Sequence, residues 1–305
     1  MAAQRDPIFL ERFLRLSLPE MPKHPFPADY QAPYQVAPPL KTTSKVQLVP
    51  WRSPSNAGEA SSLSFKEAVE AELSSLDDAA KFQHVLPPAA FRKGDLPEVT
   101  LLHTVHLWCI VQVWQPFLRV LNLEDEVALG GFDSTTSKQK GALHIGDHLP
   151  VHASSGVAIP RQLVFRSSQA GNILAPVCIH PPWNVTLSNL GQDQEEVQVD
   201  GQTSSNEPHV KALRDAIAFM QAADAQHAVV STYDEFVFLK SVEDGKVQVS
   251  PVIKASDTDL TVYMALWYWL YMCRTALREK ECAECTMHGF ELSMMLIELA
   301  RWQGL

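Results

Sequence analysis

Several things that would assign a function at once are scarce or missing in this chain. It holds 13 glycines in 305 residues. None of them falls in a G-x-x-x-x-G-K-[ST] or G-x-G-x-x-G loop, so the phosphate cradles built on those loops are excluded. No G-x-S-x-G nucleophile elbow occurs, and the H-R-D and D-F-G signatures of protein kinases are missing too. Cysteine is sparse and odd in number, at 5, which does not suggest a disulfide framework. Basic charge is also short: 25 Lys and Arg face 35 Asp and Glu, a net charge of -10. A broad basic footprint for gripping a nucleic-acid backbone is therefore lacking.

Long apolar runs are absent as well. Leu101–Leu121 is interrupted by His103, His106, Gln112, Gln115 and Pro116, and Leu260–Cys273 spans 14 residues. A membrane helix needs roughly 20 apolar residues, so both segments are expected as buried helices. Residues 1–18 carry Arg5, Asp6, Glu11, Arg12 and Arg15 among their apolar positions. That fits an amphipathic helix and not a secretory leader. The expected setting is intracellular, cytoplasmic or nuclear, with no membrane.

What the chain does have is a globular composition, 46% hydrophobic and 20% charged, and enough length to bury a sizeable core. Prolines crowd residues 19–58 and predict an extended, proline-rich arm that lies along a surface. Ser64 with Glu67 three residues on is a capping-box pattern for a helix through Leu76. A long helix is expected from Pro97-Glu98 to Leu121, then a loop over 122–142. Strands follow at Ala142–Ile145, Val157–Arg166 and Ile173–Ile179. Residues 189–208 hold no Lys or Arg and read as an acidic insertion. Helical spacing over His209–Ala223 leads to a hairpin of His227–Leu239 and Val247–Ile253, turned at Asp244-Gly245. A C-terminal helical pair is expected at 258–277 and 288–302. The order implies an α/β (α+β) fold, a mixed central sheet flanked by helices. Two regions are expected: 1–96, with the N-terminal helix, arm and capping helix, and 97–305, the α/β core.

Three residue sets could carry chemistry. Cys178 and His180 stand two apart on a strand and share one face, as a soft-metal pair or as a buried thiol beside an imidazole. Cys273, Cys282, Cys285 and His288 have the spacing C-x8-C-x2-C-x2-H, whose C-x2-C pair suits Zn²⁺; a plain helix connection is the competing reading. His103 and His106 are one helical turn apart without an identifiable acidic partner. The aromatic run Trp267, Tyr268, Trp269 and Tyr271 could stack bases, but its helical spacing points to core.

The run Gln162–Tyr271 resembles the PD-(D/E)XK-like region of fungal proteins, often found N-terminal to fungal-type protein kinase domains. The matching stretches are "HAVVSTYDEFVFLKSVEDGKVQVSPVI", similar to the strand pair after the second core helix, and "APVCIHPPWNV", similar to the third core strand with its Glu-x-Lys. "AIPRQLVF" is similar to the strand that carries Pro-Asp. With the helix from Glu98 as first core helix, the likeness covers roughly residues 98–275 and implies a restriction-endonuclease-like core. Such nucleases hold Mg²⁺ with an Asp and a Glu and use a Lys to activate water. Here the Asp position is Arg161 (Gln162 if the register slips by one), the Glu position is Cys178 and the Lys position is His180. Glu98 occupies the place of a helical carboxylate found in some of these enzymes. The resemblance therefore implies a catalytically inactive domain that binds another protein or regulates. The alternatives are a metal-dependent nuclease with a relocated site, using Glu98, Asp147 and Lys211, and a zinc-stapled interaction protein.

Overall fold

The computed structural model describes residues 8–21, 46–54, 62–76, 84–85, 105, 108–120, 127–130, 162–165, 173–190, 207–223, 225–242, 245–273 and 275–276. Strands β1 (Ile8–Phe9) and β5 (His84–Val85) form a small antiparallel pair, and β3 (Arg52–Pro54) pairs with β4 (Ser62–Ser64). The central sheet uses β2 (Gln47–Pro50), β6 (Val127–Gly130), β7 (Gln162–Phe165), β8 (Ile173–Ile179), β9 (His227–Ser231), β10 (Glu235–Ser241) and β11 (Lys246–Val249). Its order is β2-β11-β10-β9-β8-β7-β6, with β12 (Ile253–Lys254) also on β10. The sheet is mixed: β8 runs parallel to β9 and β11 parallel to β2, and the other pairs are antiparallel.

Helices cover both faces. The helices with described bounds include α1 (Leu10–Leu14), α2 (Phe65–Ser75), α3 (Gln115–Val120), α4 (Pro208–Ala223) and α5 (residues 262–273). Side chains alternate across a strand, and β10 shows the result. Phe236 and Phe238 join Phe65 of α2 and Trp269 of α5 in one core layer. Val237 and Leu239 join Leu213 and Ile217 of α4 in the other. Phe238 stands at its layer's centre, with ring centroids 5.8 Å from Phe65 and 5.7 Å from Trp269. The β8–α4–β9 unit is the crossover that two neighbouring parallel strands require.

Local chemistry explains several boundaries. The Ser64 capping box forms as expected: Glu67 Oε2 accepts from the Ser64 amide at 2.8 Å, and the Ser64 side chain accepts from the Glu67 amide. Helix α3 follows a π-helical turn over Cys109–Trp114. Pro116 lacks the N–H that would bond the Gln112 carbonyl in an α-helix. That carbonyl instead accepts the Tyr263 hydroxyl of α5 at 2.5 Å. In β8, Pro176 sits beside a register shift in which β7 pairs pass from Ala175 to Ile173; a proline inside a sheet needs such an irregularity.

Three expectations are corrected. The stretch 227–239 is two strands and not one. It folds back at Thr232–Asp234, where Tyr233 takes φ 70°, Ser231 Oγ accepts from the Tyr233 amide at 2.9 Å and Thr232 Oγ1 accepts from the Glu235 amide at 3.2 Å. Side-chain hydroxyls here do the work that a glycine-rich turn does elsewhere. The expected loop 122–142 contains strand β6, held by pairing with β7. The expected surface arm contributes β2 to the sheet, because Leu48 and Trp51 bury their side chains there. The start of the long helix, residues 22–45 and 55–58 of the arm, the strand at 142–145, most of the acidic insertion and the helix at 288–302 lie outside the described residues.

Candidate functional site

The site suggested by the sequence lies where β8 ends against α4. Ala175, Val177 and Ile179 belong to the core layer on the far face. Cys178 belongs to the layer with Leu213, Ala216 and Ile217 of α4. His180 follows at the strand end on the α4 side, its amide bonded to the Ser231 carbonyl of β9 at 2.8 Å. The two-residue spacing therefore delivers both groups to one face, as expected.

Their chemistry is that of a packed interior. Cys178 is 2% exposed; burial, then the charge of Asp215, pushes its thiol well above the usual range. His180 is half-buried, and burial with nearby Lys211 lowers its imidazole to about 4. At neutral pH the pair is a protonated thiol and a neutral ring. Asp215 of α4 is buried, and burial raises its carboxyl while Arg214 and Lys211 oppose the shift. Arg214 donates to it at 3.4 Å.

Asp215 escaped the sequence reading. The signal was available: α4 is buried nearly all round, through Ala212, Leu213, Ala216, Ile217, Ala218, Phe219 and Met220, so an acid inside that run must be buried too. Glu235 was missed as well. It accepts from the Leu187 amide at 2.5 Å, from the Ser188 amide at 3.2 Å and from the Ser188 hydroxyl. This carboxylate ties the turn after Pro181-Pro182-Trp183 to the start of β10.

The Mg²⁺ implied by the sequence resemblance does not fit this donor set. A hard divalent ion wants several carboxylate or carbonyl oxygens, whereas β8 offers a thiol and an imidazole with Lys211 close by. Arg161, Glu98 and Asp147 lie outside the described residues, as do His103 and His106. Of the zinc candidates, Cys273 is buried in α5, 1% exposed, in the layer around Trp269. Burial holds its thiol well above the usual range, the reverse of what a thiolate ligand needs. Cys282, Cys285 and His288 fall outside the described residues. No family model, curated protein or solved structure matches the chain. Among the described residues, no group of three His, Cys, Asp or Glu side chains is arranged to hold a metal ion. No described helix is long and apolar enough to cross a membrane. Of the aromatic run, Tyr268 and Trp269 are core, while Tyr271 is 45% exposed and stacks on Trp267 at 6.4 Å.

Proposed function

We propose that this chain is a PD-(D/E)XK-like domain without nuclease chemistry, working as a protein-binding or regulatory module. The observation that carries the reading is Cys178, a buried, protonated thiol in the position where the family's metal-binding Glu would stand. The order of elements supports the family likeness. Strand β7 pairs antiparallel with β8, which is followed by α4 and then by β9 parallel to β8. This is the order in which the resemblance places its Pro-Asp strand, third core strand, second core helix and the strand after it.

A relocated metal site is the second reading. It is favoured by Lys211, a lysine close to His180, which occupies the place of the family's water-activating Lys. Titration of the full chain with Mn²⁺, followed by electron paramagnetic resonance of the free ion, separates the two. A binding module leaves Mn²⁺ free up to millimolar protein. Stoichiometric uptake that is lost on Glu98→Gln or Asp147→Asn would establish the relocated site and remove the first reading.

A further inference from the structure

We infer that a groove at the β2–β11 end of the sheet receives an extended, acidic peptide of a partner protein. The inference rests on the binding-module reading and names the partner's chemistry. The groove encloses about 770 Å³, within the roughly 300–1,000 Å³ typical of built ligand clefts. Its apolar lining comes from Leu48, Leu190, Leu213 and Val252. Its charged lining is Arg52, Lys66 and Lys254, and among the described residues it contains no Asp or Glu.

One of the three lining cations is already engaged. Lys66 is held by Asp259 and by Glu70 at 3.9 Å. Arg52 and Lys254 form no ion pair among the described residues. Glu67, which feels the Arg52 charge, is itself engaged by Ser64. Two such cations over an apolar floor select an anionic occupant with apolar side chains. Their small number disfavours a nucleic acid, which binds by neutralising many phosphates.

The backbone argues for an extended occupant. Strand β2 ends the sheet, paired to β11 alone among the described residues, and Leu48, Val49 and Pro50 line the groove. An exposed strand edge accepts another strand through its main chain, while neighbouring pockets read alternate side chains. Carboxylates of such a peptide would meet Arg52 and Lys254, and its apolar side chains would cover Pro50, Leu190 and Pro251.

The test pans a library of random dodecapeptides against the full chain and against the full chain carrying Arg52→Glu and Lys254→Glu. The expected result is enrichment of acidic peptides with interleaved apolar residues on the wild-type chain alone. A synthetic, labelled copy of such a peptide should lose affinity at least ~10-fold on the double variant, read by fluorescence anisotropy. Equal enrichment on both chains, enrichment of basic or uncharged peptides, or no enrichment would overturn the inference. So would preferential binding of a labelled oligo-dT strand. Arg52→Ala and Lys254→Ala singly, checked by circular dichroism, replace the reversal if it unfolds the chain. Nuclease assays on the same preparations judge the wider reading separately: inactivity without peptide binding removes the groove and leaves that reading standing.

Discussion

Acid should destabilise this protein well before its carboxylates titrate, and His227 should account for much of the loss. His227 is 1% exposed at the start of β9. Burial first, and then Lys240 across the strand pair, lowers its imidazole from 6.5 to about 3. A ring neutral when folded but protonated when unfolded makes the unfolded chain bind more protons through this interval. Its contribution is therefore complete above the unfolded pKa and is lost as pH falls from 6.5 toward about 3. At about pH 5 the unfolded ring is nearly fully protonated and the folded ring is not, which corresponds to a loss of about 2 kcal/mol. His180, lowered to about 4 but half-buried, adds at most about 1 kcal/mol after screening by solvent. Asp215 works the other way, because burial raises its carboxyl in the folded chain. Against a typical stability of about 5–15 kcal/mol, the loss at His227 is still readily measured. Urea unfolding followed by tryptophan fluorescence at about pH 7.5 and about pH 5 reads it directly. His227→Gln should flatten the pH dependence by about 2 kcal/mol, whatever it does to absolute stability. Wild-type stability equal at both pH values, or an unchanged slope in the variant, would refute the reasoning.

Two further substitutions test the local structure. Ser64→Ala removes the acceptor at the start of α2 and should lower stability by about 1 kcal/mol in urea unfolding. Tyr233→Phe deletes the hydroxyl that donates to the Pro19 carbonyl at 2.6 Å. It should cost about 1 kcal/mol and raise amide exchange around Pro19 without changing exchange in β9.

Elements with a strong local signature were legible from the sequence. The Ser64–Glu67 capping box set α2, the spacing of Leu213, Ile217 and Met220 set α4, and β8 has the expected bounds Ile173–Ile179. What was not legible depends on distant partners. Strand β2 exists because Gln47–Pro50 pairs with Lys246–Val249, far along the chain, and nothing local to a proline-rich stretch announces that. The turn at Tyr233 hid inside a run of strand-forming residues because hydroxyl-to-amide bonds make it. At the candidate site, strand periodicity placed Cys178 and His180 on one face. Which helix covers that face, and that it brings Asp215 and Lys211, became visible once the β8–α4–β9 crossover was in view.

The most direct test of the central claim is a cleavage assay with the full chain. Supercoiled plasmid, linear duplex, single-stranded DNA and RNA are each incubated with Mg²⁺ and with Mn²⁺, beside Cys178→Ser and His180→Ala variants. The expected result is substrates left intact by all three proteins. Metal-dependent cleavage by the wild-type chain that either substitution abolishes would contradict the account, because it would make the β8 end a working catalytic site.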